Sequence, residues 1–273
     1  MSSRICFIVE GLKTEPEVIE NIKKLFFKDS EVEVIHLPAM TNIYSIYKAL
    51  KNDDFETGII EIVKEQIDKN GLTNNYSHYY TSDFSEVYLL FDYDAHNNNI
   101  PHGLCVGDVI EEMLEVFDNE TENGKLLISY PMVEAIKDND ESANVYLYPV
   151  SLGRGYKKVI DSKNHRHIKA FGYDDWVKSV KKHMLTLSYL RHNLVSVEEA
   201  QELYPMLVYY DQKKIGDEYI ASFSGVVEFL IEYFHGDKLL NKLNITEKEL
   251  NRAVEISYNS LTLVKHEKTM EKN

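Results

Sequence analysis

Four acidic residues define the chemistry this chain could do. Glu10 directly follows the apolar run ICFIV, Asp92 and Asp94 are the two acids of FDYD after VYLL, and Glu134 lies just beyond LLISYP. Carboxylates that converge repel one another and raise each other's pKa, so their clustering costs free energy unless cations hold it. Hard divalent ions such as Mg²⁺ or Mn²⁺ take oxygen ligands. Two such ions about 4 Å apart can activate water and stabilise the leaving oxygen of a phosphodiester. Gly11 lets the backbone turn sharply beside Glu10. Each acid taken singly also fits a plainer role. Glu10 is the first solvated residue after a strand, Asp92 and Asp94 form a polar loop or helix start, and Glu134 is a first-turn acid favoured by the helix dipole.

The elements that would position these acids are legible. Residues 5–9, 32–37, 86–91 and 125–129 read as strands, being short, apolar and rich in β-branched residues. Glu15 to Phe27 reads as a helix, with Thr14 as N-cap, Pro16 in the first turn and a stripe of Val18, Ile19, Ile22, Leu25 and Phe26. Further helices are expected over 43–51, 56–69, 105–118 and from about Pro131, with a loop over 70–83. Alternation of strand and helix predicts a mainly parallel sheet flanked by helices in residues 1–150. Sites in such sheets lie beyond the carboxyl ends of the strands, where all four acids fall. Residues 151–170 read as a basic connector. Residues 171–265 read as a C-terminal helical subdomain with no convincing strand, its helices at 173–190, 197–214, 222–235 and 246–264. Thr246 to Glu249 has capping-box spacing, Gly236 reads as a helix stop, and 266–273 is a polar tail.

The chain has 273 residues with 44% hydrophobic content, enough for a packed core. Its two cysteines provide neither a disulfide framework nor a zinc site. With no secretory signal or membrane-length apolar run, it reads as cytoplasmic, without membrane contact. A net charge of −15 argues against a general nucleic-acid coat but not against an enzyme that meets nucleic acid through metal ions.

IVEGLKTEP, FDYDAH and SYPMVEAI, in this order, resemble the Toprim domain, whose signature is a glutamate after the first strand and a D-x-D after a later one. The form E-G-x-K-T-E-P is more narrowly similar to RloB-like proteins and to their OLD-family and AriB-like nuclease relatives. Tyr130 departs from the S-N-P-x-x-E form of the third motif, while Ser129, Pro131 and Glu134 keep their places. The resemblance covers about 140 residues. It implies a Toprim-like fold and Mg²⁺- or Mn²⁺-dependent cleavage of RNA such as tRNA, or of DNA. It also implies a role in bacterial anti-phage defence and abortive infection beside an ABC-type ATPase partner, and it allows a homodimer. It makes Glu10, Asp92 and Asp94 ligands of two ions, with Glu15 and Glu134 as further ligands or orienting groups. Ser129 becomes a supporting residue beside them. His96, just after the D-x-D, reads by its position as a supporting group or proton carrier, and equally as an ordinary loop histidine.

Residues 151–169 carry Arg154, Lys157, Lys158, Lys163, Arg166 and Lys169 against one acid, Asp161. Together with Lys13, the cations Arg154, Lys157, Lys158, Lys163 and Arg166 are candidates for substrate phosphates. The run also reads as a solvated linker. Tyrosines such as Tyr209 and Tyr210 either pack in the core or stack on bases. A second reading of the whole chain is a non-catalytic module that docks on an ATPase or sensor partner.

Overall fold

The computed structural model describes residues 3–72, 76–94, 100 and 102–266. His96 and the tail beyond His266 lie outside the described residues. The chain is α/β and divides into two compact units, Met1–Asp92 with Asn97–Ile128, and Tyr93–His96 with Ser129–Asn273. The division falls at Ser129, ahead of the expected boundary near 150.

In the first unit, β1 (Arg4–Val9), α1 (Thr14–Phe26), β2 (Glu33–Pro38), α2 (Ile43–Lys51) and α3 (Ile59–Lys69) precede β3 (Glu86–Asp92). Then come α4 (Val106–Val116), β4 (Asp118–Asn119) and β5 (Gly124–Ser129). Among the described residues the sheet has the order β2-β1-β3-β5-β4. β1 is parallel to both β2 and β3, whereas β4 is antiparallel to β5, so the sheet is mixed. Ile5 to Val9 are all fully buried, as expected of a central strand covered on both faces. Val18, Ile19, Ile22 and Phe26 bury the core stripe of α1. Thr14 is the first helical residue and not the cap. The N-cap is Lys13, which makes no side-chain capping bond.

Gly124 opens β5 with φ +109°, and a Cβ there would lie 2.8 Å from Leu89 Cδ1. Backbone and packing both demand glycine at this point. Gly124→Ala is expected to destabilise the first unit by about 1–3 kcal/mol, read as a lower urea midpoint.

The second unit corrects the expectation of a purely helical half. β6 (Asn144–Pro149) is the centre of a three-stranded sheet, antiparallel to β7 (Tyr219–Ala221) and parallel to β8 (Thr262–Lys265). Around it lie α5 (Gly155–Lys163), α6 (Tyr173–Arg191), α7 (Val197–Gln201), α8 (Pro205–Lys213), α9 (Gly225–Tyr233), α10 (His235–Leu243) and α11 (Glu247–Asn259). The expected connector is therefore partly the helix α5, anchored by buried Tyr156 and Ile160. The segment after Pro131 is a 3₁₀ turn, Val133–Lys137, and not an α-helix. Gly236 lies inside α10 and does not stop α9. A Cβ on it would meet Val197 Cγ1 at 2.6 Å, so glycine serves close helix packing there. The capping box at Thr246 and Glu249 forms at the start of α11.

The core of this unit holds Trp176, Tyr148, Tyr156, Tyr209, Phe223 and Phe229. His183 on α6 is buried with its ring 4.0 Å from Phe223, and its Nδ1 has no hydrogen-bond partner among the described residues. Burial pushes its pKa down to about 3. The unfolded chain protonates this histidine below about pH 6.5, while the folded chain resists protonation until about pH 3. Stability is thus expected to fall as pH drops through that window, by about 2 kcal/mol at pH 5. His183→Leu should flatten this slope in urea titrations run at pH 7 and pH 5.

Candidate active site

β1 ends at Val9, which stands opposite Leu90 of β3, so Glu10 and Asp92 occupy the neighbouring carboxyl ends of these two strands. The chain passes from β1 to β2 on one side, while β3 lies on the other. The strand order therefore reverses between β1 and β3, the point where open α/β sheets leave a crevice for ligands. Glu10 is half-buried and begins a short turn into α1. Glu15, in the first turn of α1, folds back over that turn. Its Oε2 lies 3.2 Å from where a Cβ on Gly11 would be, and the residue is only 8% exposed. Three carboxyl-bearing residues of the first unit are thus set around one rim by β1, β3 and the start of α1. Lys13 is exposed in the same turn.

The D-x-D motif spans the division between the units. Asp92 closes β3, whereas Tyr93 and Asp94 belong to the second unit. Tyr93 donates its backbone N–H to the Ser129 carbonyl at 3.0 Å, and its ring stands 5.2 Å from Tyr130 and 6.4 Å from Tyr209. Asp94 is half-buried with a positive φ of 22°. Tyr130, which replaces the expected asparagine, pairs with Phe223 through two backbone hydrogen bonds of 2.8 Å. The Tyr130–Pro131 peptide is cis. Ser129 is buried, and its Oγ accepts from the Gly225 N–H at 3.3 Å, at the start of α9.

Glu134 is buried and joined to Lys157 at 2.6 Å. Lys163 reaches the Tyr148 hydroxyl at 2.6 Å and Asp138 at 3.3 Å, and it lies 3.5 Å from the centre of the Tyr146 ring. Tyr148 in turn donates to Asp138 at 2.8 Å. Burial pushes the Asp138 carboxyl up, against the pull of Lys163 and Tyr148. Burial likewise pushes the Lys163 ammonium down, against the pull of Asp138. Arg166 binds Asp175 at 3.0 Å and the Ala170 carbonyl. Of the expected phosphate contacts, Lys157, Lys163 and Arg166 are thus committed to acids of their own unit. Lys13, Arg154 and Lys158 are exposed and make no ion pair among the described residues. The sequence reading missed Asp138, Tyr148 and Tyr93. The only local sign of Tyr93 was its place between the two motif aspartates.

Among the described residues, no group of three or more His, Cys, Asp or Glu side chains stands ready to hold a metal ion. Comparison of the chain with protein-family models, curated proteins and solved structures finds no match.

Proposed function

We propose that the protein is a divalent-metal-dependent nuclease whose cation-holding groups are Glu10 and Asp92. One observation carries this reading: both acids stand at adjacent carboxyl ends where the strand order reverses, in a chain with E-G-x-K-T-E-P and D-x-D in sequence. The donors fit Mg²⁺ or Mn²⁺ in kind, since all are carboxylate oxygens. Such ions in phosphate-handling sites are held by one or two carboxylates, with substrate phosphates completing the shell. Glu10 and Asp92 meet that requirement without a preassembled cluster of three.

Bound there, a divalent ion supplies positive charge to the phosphodiester oxygens and makes water a nucleophile near neutral pH. Glu15, whose carboxylate lies over Gly11 in the turn that carries Glu10, is placed to serve as a further ligand or an orienting group. Lys13 offers an exposed ammonium to the phosphate backbone from the same turn, and Arg154 and Lys158 offer further cations. Asp94 and Glu134 enter this reading through the Toprim resemblance alone. So do the Toprim-like fold, an RNA such as tRNA or a DNA substrate, a second ion, a homodimer and anti-phage action beside an ABC-type ATPase.

The test is incubation of the purified protein with total cellular RNA and plasmid DNA, with Mg²⁺ or Mn²⁺, with and without EDTA. Cleavage that requires the ion and stops with EDTA is expected. Intact RNA and DNA in every arm would leave the protein as a binding module.

A further inference from the structure

At the amino-terminal end of β3, on the opposite rim of the sheet from Glu10 and Asp92, the first unit holds a cavity of about 360 Å³. Leu50, Phe55, Ile59 and Phe117 give it an apolar lining. Four exposed acids surround it: Glu56 before α3, Glu115 near the end of α4, Asp118 in β4 and Glu122 in the β4–β5 turn. None of these four carboxylates makes an ion pair or side-chain hydrogen bond with another described residue. The nearby ammonium of Lys51 is held by Glu112 at 2.5 Å, 5.5 Å from the centre of the Phe55 ring. Lys125, opposite Asp118 in the β4–β5 ladder, is buried and does not line the cavity.

The helix termini reinforce this field. The carbonyl end of α4 contributes negative partial charge beside Glu115. The positive N-terminal pole of α3 is already met by Glu61, whose Oε2 lies 2.6 Å from where a Cβ on Gly58 would be. Four exposed carboxylates without cationic partners among the described residues give this corner a negative potential that suits a cationic segment. An apolar floor beneath an anionic rim is complementary to bulky apolar side chains flanked by basic ones. β4 is the edge strand and only two residues long, which blunts the sheet edge against strand addition, so the apolar floor and its acidic rim carry the recognition at this corner.

We propose that this corner of the first unit is a docking site for a short segment of a partner protein in which basic residues flank bulky apolar ones. The inference is independent of the nuclease reading.

The test measures fluorescence anisotropy of labelled six-residue peptides against the full-length protein at physiological salt. The peptides alternate Leu with Lys, Ser with Lys, or Leu with Glu. The Leu–Lys peptide is expected to bind, and both others at least ten-fold more weakly. Glu115→Gln/Asp118→Asn/Glu122→Gln should weaken Leu–Lys binding at least ten-fold. Neutralising three exposed acids of the other unit, Glu202→Gln/Glu218→Gln/Glu255→Gln, should leave it unchanged. Glu122→Lys alone, in a surface turn, repeats the test should the triple variant fail to fold, and should also weaken binding. Equal losses in both triple variants, or Ser–Lys binding as tightly as Leu–Lys, would overturn the proposal as generic polyelectrolyte attraction. Spermidine saturating one site while the Leu–Lys peptide fails to bind would overturn it in favour of a small polyamine.

Discussion

Asp92→Ala protein should melt at the temperature of the wild type and lose metal-dependent cleavage by at least about 10²–10³-fold, the scale of losing one preorganised charge-stabilising group. The position permits this separation of effects. Asp92 is the last residue of β3 and only half-buried, while the strand's stability comes from Val87 to Phe91, which are buried behind it. Glu10→Gln should behave in the same way, because the amide keeps the size and much of the hydrogen-bonding capacity of the side chain but not its charge. The measurement pairs a nuclease time course in Mn²⁺ with a thermal melt of each variant. Full activity in a well-folded Asp92→Ala protein would remove the nuclease reading. Inactivity with a collapsed melting transition would move Asp92 from chemistry to folding.

The largest stability effect is expected from Asp138→Ala. This carboxylate, with 3% side-chain exposure, receives the Tyr148 hydroxyl and the Lys163 ammonium. Removing it leaves the buried Tyr148 hydroxyl without its acceptor and the Lys163 ammonium without its counter-charge, with only the Tyr148 oxygen left among the described residues to accept from it. Breaking a buried pair from one side costs about 3–5 kcal/mol. Lys163 keeps 28% side-chain exposure and can recover some hydration, which places the expected loss near 3 kcal/mol. That corresponds to a fall in melting temperature of roughly 6–12 °C for a protein of this size. The triple variant Asp138→Leu/Lys163→Met/Tyr148→Phe should recover most of the loss, because replacing all three partners with apolar groups leaves neither a charge nor a buried hydroxyl unsatisfied. A single variant as stable as the wild type would show that this network contributes specificity and not stability.

Legibility in the sequence followed local signal strength. β1, β3 and β5 are uninterrupted apolar runs, and α1 and α6 are long, so their types were evident from the residues alone. β7 has three residues and β8 four, mostly exposed, too short for a two-residue period to show. α5 buries only Tyr156 and Ile160. Its stripe is therefore two residues deep among lysines, and it reads as linker. The carboxyl-end placement of Glu10 and Asp92 was accessible because it needs only strand order and position. The fate of the basic run was not, because charges can be counted in sequence while their partners cannot. Lys157, Lys163 and Arg166 answer Glu134, Asp138 and Asp175, and in the linear chain nothing pairs these residues.

The two units interleave along the chain, and Tyr93 is where this matters most. It directly follows the last residue of β3, yet its ring packs with Tyr130 and Tyr209. A gene fragment beginning at Ser129 would lack it and leave a gap in the aromatic pack of the second unit. The halves are therefore not exchangeable cassettes. Swapping the segment after residue 128 between related chains would transplant Tyr130 and Tyr209 without the tyrosine that completes them, so a working chimera must carry the FDYD loop along with the C-terminal half.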